Sequence, residues 1–197
     1  MGEIVAGRIT QSKTDKIMGI ERKTTQIKGG FPVFWSRCAT LPGDFKVTNV
    51  PEGSTIQKGT PIKLNFNKME CMVCRAIEVT GGTTTKPQIK KGSFVTTSDS
   101  VGSQTITSID TSHADYDELT LSAAESTAIA GKILALDEEL PDAVVERTAE
   151  HKEGMTFQTV SAGYDVVVLK DVAYPIPDSS LTGYCMKNNP SIKYIRQ

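Results

Sequence analysis

One seven-residue phrase constrains the architecture of this chain more than any other feature: an aliphatic residue, two residues, Gly, two residues and a second aliphatic. It occurs as VPEGSTI (Val50 to Ile56), IQKGTPI (Ile56 to Ile62), IKKGSFV (Ile89 to Val95) and VSAGYDV (Val160 to Val166). Glycine reaches positive φ at no steric cost, so such a phrase marks a place where one short β segment ends and another begins. Four copies, two of them sharing Ile56, predict a mainly β chain: a compact β-barrel or β-sandwich-like domain with one or two short helices and an extended N-terminal arm.

The arm is read over residues 1–36, which carry no sustained apolar period until the cluster Phe31, Pro32, Val33, Phe34, Trp35. Residues 37–197 form the β-rich domain, with a subdivision expected near 110–120. The strongest β signal runs from Phe45 to Thr80. There Met69, Cys71, Val73, Arg75, Ile77 and Val79 share one face, apolar except for Arg75, and a half-buried strand is expected. Gly81-Gly82 marks a turn, and the third glycine phrase is expected to open a strand near Phe94. A further strand is read around Gln104 to Ile109.

A helix is expected from Ser122, whose hydroxyl could cap it with Glu125 three residues on, through an alanine-rich run to Gly131. Ile133 to Leu136 suits a short buried strand, and Pro141 to Glu150 suits either a helix or an edge strand. Tyr164 to Leu169 reads as a strand entered through the fourth glycine phrase. The Pro-rich tail ends in an Ile192, Tyr194 alternation that suits an edge strand.

Net charge is −1, but it is unevenly spread. Between Asp99 and Glu150 twelve acids face only Lys132 and Arg147, whereas the first thirty residues carry six bases against three acids. A basic end and an acidic middle suit an oriented contact with a surface of uneven charge, or merely solvated faces. No stretch approaches the ~18 apolar residues that a membrane span needs, and the start carries no basic segment followed by an apolar one. The chain is therefore expected to act without a membrane and without export, its cysteines reduced and packed as small hydrophobes.

The patterns that carry chemistry are thin. Cys71 and Cys74 form a CxxC, yet no second pair supplies two more ligands, and positions i and i+3 of a strand point to opposite faces. His113 lies among Asp110, Asp115 and Asp117 without the glycine and distal Glu of a calcium loop, and His151 is 38 residues away. Asp137, Glu138 and Glu139 are adjacent, which does not place two carboxylates across a cleft. No phosphate-cradling glycine loop is present. We expect no enzyme activity, cofactor or metal. Nucleic-acid binding is disfavoured because the arm's cations are interrupted by acids and lack interleaved aromatics before Phe31.

The run AGYDVVVLKDVAYPIPDSSLTG with the terminal MKNNPSIKYIRQ resembles auxiliary capsid proteins of tailed bacteriophages, in particular head decoration and head-fibre proteins of phages of gut Bacteroidetes. KGTPIKL, CRAIEVTGG and KKGSFV are similar in style to small capsid decoration proteins. The resemblance implies a structural virion protein on the outer capsid surface, made in the host cytoplasm. It would bind the major capsid protein and cement the shell, with a homotrimer and other head-fibre proteins as expected partners. The capsid-binding residues then expected on the arm are Arg8, Lys13, Lys16, Arg22, Lys23, Phe31, Phe34 and Trp35. The alternative is a carbohydrate- or host-surface-binding module, for which Tyr116, Tyr164, Tyr174 and Tyr184 would have to gather on one face.

Overall fold

Val144 sits between two hydrophobic clusters, and its position explains much of the architecture. In the computed structural model, which describes residues 39–51, 54–137, 139–150, 154, 156–170 and 173–196, the chain is almost entirely β. It opens with β1 (Ala39–Val47), β2 (Thr55–Ile56), β3 (Pro61–Asn65), β4 (Glu70–Val73) and β5 (Ala76–Gly82). Next come β6 (Pro87–Lys90), β7 (Ser100–Val101), β8 (Gln104–Asp110), β9 (Tyr116–Leu121), β10 (Ile133–Ala135) and β11 (Ala143–Val145). The last third adds β12 (Ala149–Glu150), β13 (Thr159–Asp165), β14 (Val167–Leu169), β15 (Leu181–Thr182), β16 (Cys185–Met186) and β17 (Lys193–Ile195), with a 3-10 turn at Asp178–Ser180.

Five strands close a barrel in the order β1-β13-β11-β3-β4. The closing pair is parallel, Lys46 opposite Glu70 and Val47 opposite Cys71, while the other pairs are antiparallel. Phe45, Ile62, Cys71, Val145 and Val160 fill it, and closure removes the open edges that invite aggregation. A second sheet runs β10-β5-β6-β9-β8-β7, and a bridge from Val101 to Leu136 brings its two ends together, so it nearly closes around Ile77, Ile89, Ile106 and Leu119. A third sheet, β14-β17-β16-β15, packs Val166, Val168, Met186 and Ile192 around Val144. Strand side chains alternate, so Ala143 and Val145 point into the first barrel while Val144 points out under this third sheet. All three residues are therefore buried, and the stretch read as helix or edge strand holds an interior strand, β11, followed by β12, which pairs with β2 alone.

Several expectations are corrected. The run from Lys68 to Thr80 is not one strand: it breaks at Cys74 and Arg75, giving β4 to the first barrel and β5 to the second. The alternation survives the break, which is why it looked continuous. Residues 122–131 form turns rather than a helix. The Ser122 hydroxyl accepts the Thr105 amide at 3.2 Å instead of capping, and the Glu125 amide donates to Thr84 at 2.9 Å. Ala123, Ala124 and Ala130 are exposed, so a helix there would have no apolar stripe to bury, and a helix this short is marginal without one.

Two glycine phrases mark turns as read, with Gly59 at φ 84° between β2 and β3 and Gly92 at φ 79° after β6. The latter ends a strand, and none follows at Phe94. Gly163 instead lies inside β13, buried and flanked by Thr40 and Val144. The C-terminal β17 is not an edge, because β14 pairs with it in parallel and β16 in antiparallel fashion. Residues 111–115 connect β8 and β9, neighbours in the second sheet.

Candidate docking surface

The sequence-predicted capsid contacts Arg8, Lys13, Lys16, Arg22, Lys23, Phe31, Phe34 and Trp35 lie outside the described residues, as do Cys38, Glu138 and His151. Of the remaining candidates for chemistry, Cys71, Cys74 and Asp117 are buried in the fold. Cys71 faces the first barrel's core and Cys74 is buried in the break after β4. Burial pushes the Cys71 thiol up to about 12 and that of Cys74 up as well, which is opposite to what a metal-binding or nucleophilic thiolate needs.

Asp117 is buried, and its two oxygens accept the Lys91 ammonium at 2.7 Å and the Gly92 amide at 2.9 Å. His113 stacks on Tyr116 with ring centroids 4.4 Å apart. Hydrogen bonds from Ser112, followed by the nearby His113, hold the exposed Asp110 carboxyl below its usual range. Among the described residues no group of three His, Cys, Asp or Glu side chains is placed to share a metal ion, and no helix is long and apolar enough to cross a membrane. Arg75 forms a bidentate pair with Asp99 and also reaches Asp137, tying the start of β5 to the ends of the second sheet.

What the surface does offer is an apolar cluster at one end of the first barrel. The β3–β4 turn exposes Phe66 and Met69, and Phe157 stands exposed just before β13. Phe66 lies edge-on to the core ring of Phe45 at 5.8 Å, half plug and half surface. The Met69 carbonyl accepts the Lys46 amide at 2.8 Å, and Lys46 Nζ sits 5.3 Å from the Phe157 ring centroid, so β1 draws the three residues to one end. Gly43 at φ 86° leaves room for the Met69 side chain, whose Cε would lie 3.0 Å from a Cβ added there.

Beside the cluster is a groove of about 430 Å³ lined by Thr48, Leu64, Phe66, Asn67 and Met72. Lys63, on the same wall, pairs with Glu139, while burial raises the pKa of Asp142, whose Oδ1 accepts the Leu64 amide at 3.0 Å. Soluble surfaces carry single exposed hydrophobes routinely, but three large ones set close to Phe45 and Lys46 of one strand make a candidate contact site. This cluster was missed in the sequence. Its one signal is the run Phe66, Asn67, Lys68, Met69, in which large apolar residues flank a polar turn where neither is needed for turn geometry. The four tyrosines do not gather: Tyr174 is buried with its hydroxyl on Ala76, and Tyr116 is stacked on His113.

Comparison of the chain with family models, with curated proteins and with solved structures returned no match.

Proposed function

We propose that this protein is a structural binding module that docks on an assembled protein shell and reinforces it, without catalysis. The carrying observation is the apolar end of the first barrel, where Phe66, Met69 and Phe157 stand exposed next to Lys46. The short β3–β4 hairpin holds Phe66 and Met69, so docking there orders few side chains and costs little conformational entropy. Aromatic and methionine side chains of this kind serve as anchors in protein interfaces. The resemblance of the C-terminal third to phage head decoration proteins makes the outer face of a tailed-phage capsid, and its major capsid protein, the partner to test. A protein that binds only the assembled lattice stabilises it by mass action. The basic residues of 1–36 would supply a second contact in this reading, and the acidic middle would face away from the shell.

The test is co-sedimentation with tailed-phage heads stripped of auxiliary proteins, in expanded and unexpanded forms. Saturable binding to expanded heads, weakened by Phe66→Ser with Met69→Ser and by removal of residues 1–36, supports the reading. An intact full-length chain that stays in the supernatant with both forms overturns it.

A further inference from the structure

We propose that the outer face of the β3–β4 hairpin is a binding site for a neutral saccharide. Strand alternation builds this face. Ile62, Cys71 and Val73 point into the first barrel and Leu64 packs against its core, so Lys63, Asn65, Glu70 and Met72 point outward. The hairpin register sets Lys63 opposite Met72 and Asn65 opposite Glu70. Thr48 borders the face, donating its amide at 3.0 Å and its hydroxyl at 3.2 Å to the Cys71 carbonyl, and Phe66 and Asn67 close it at the turn. The concavity between them is the groove of about 430 Å³, within the roughly 300–1,000 Å³ of small-molecule sites.

The side chains in this groove suit a polyol. Those of Asn65, Asn67 and Glu70 make no hydrogen bond or ion pair among the described residues. An amide side chain both donates and accepts, a carboxylate accepts, and each sugar hydroxyl does both, so neighbouring hydroxyls of one ring match the set. Phe66 is 54% exposed, and its T-shaped contact with Phe45 holds the phenyl ring in place. With Met72 it offers an apolar surface to the C–H face of a pyranose.

The same groove disfavours other ligands. Lys63, the cation lining it, is paired with Glu139, so a phosphate or sulfate would have to compete for that charge. A peptide backbone finds no strand edge. β3 lies between β11 and β4, β4 lies between β3 and β1, and past the end of the β1 pairing the Asn49 side chain takes the Val73 amide at 2.8 Å and its carbonyl at 2.9 Å. The site shares Phe66 with the apolar end of the first barrel, but its hydrogen-bonding groups are separate, and it stands whether or not that end docks on a shell.

The test is NMR titration of the full chain with the methyl glycosides of glucose, galactose, mannose and N-acetylglucosamine, and with cellobiose and lactose, using glycerol and inorganic sulfate as controls. At least one sugar should shift the side-chain amide signals of Asn65 and Asn67 saturably in the millimolar range, and neither control should. Asn65→Ala and Glu70→Ala alter outward side chains, so each should keep the parent spectrum elsewhere while weakening that sugar by about tenfold. No saturable shift with any sugar, shifts confined to other residues, or undiminished binding in both variants overturns the proposal. Co-sedimentation with phage heads separates the two sites: the variants should bind heads as the parent does, and loss of head binding in them would assign Asn65 and Glu70 to the shell contact instead.

Discussion

The guanidinium of Arg75 lies against the carboxylate of Asp99 as a two-pronged pair, Nη1 to Oδ2 at 2.9 Å and Nη2 to Oδ1 at 2.6 Å, with both side chains almost wholly buried. Asp99 also accepts the Thr96 amide at 2.8 Å, and the Arg75 guanidinium carbon lies 5.3 Å from the Phe94 ring centroid. One pair thus fixes the loop before β7 to the break between β4 and β5, across the region where the two barrels meet.

Removing one partner leaves the other charge buried and alone. Asp99→Ala should cost about 3–5 kcal/mol of unfolding free energy, whereas Arg75→Met combined with Asp99→Leu should recover much of the loss, because no charge is then stranded. Asp137, more exposed and bonded to Arg75 through one oxygen at 3.0 Å, should matter less: Asp137→Gly should cost no more than about 1 kcal/mol, helped by glycine's ease at φ 61°. Urea unfolding of the four proteins decides between these ranks. Equal losses for Asp99→Ala and the double variant would show that packing, not the stranded charge, dominates.

Tyr174 gives a second reading of the same junction. Its hydroxyl stands where the next strand's peptide would be, satisfying both polar groups of Ala76, and burial pushes its phenol up to about 12. Tyr174→Phe keeps the ring and strands a buried N–H and C=O, at a cost of about 1–3 kcal/mol. The urea midpoint should fall with an unchanged slope. A loss below a few tenths of a kcal/mol would mean that water reaches Ala76.

The buried thiols make a prediction about pH. Cys71 stays protonated up to about 12 in the folded protein against an ordinary value of 9.0, so below 9 the two states bind equal protons and its ionisation contributes nothing. Above 9 the unfolded thiol ionises while the folded one does not, and stability falls as pH rises from 9 toward 12. Cys71→Ala should flatten that part of the profile, measured relative to the parent protein. In a Cys38→Ser background a thiol reagent at pH 8 should modify Cys185, which is partly exposed, and reach Cys71 and Cys74 only on unfolding. Rapid modification of all three would contradict the packing described.

Met69 combines an exposed apolar side chain with φ 51°, a backbone state that favours glycine. Met69→Gly should therefore be neutral or stabilising by up to about 1 kcal/mol, while weakening binding to the shell. Thermal unfolding and co-sedimentation on the same variant separate the two effects. A stability loss above that range would assign Met69 to the packing of the hairpin instead.

Local residue chemistry was enough to establish that this chain is β-rich. The glycine at 59 turns the backbone where its phrase places it, and the alternation of Cys71, Val73, Ile77 and Val79 marks buried strand faces, because both depend only on near neighbours in the chain. The same local rules misread Ser122 to Gly131, where the cap and the acid that would start a helix are engaged instead by Thr105 of β8, by Thr84 of the β5–β6 turn and by Thr127 of the segment itself. They also could not divide Lys68 to Thr80 between two barrels, since the division lies in which distant strands pair, not in the alternation. Tertiary structure alone decided that Val144 is covered on its outer side, that β17 is enclosed, and that Phe66, Met69 and Phe157 each lie against Phe45 or Lys46 of β1. Burial and juxtaposition depend on contacts between residues as far apart as Lys46 and Phe157, and a linear pattern carries no record of those distances.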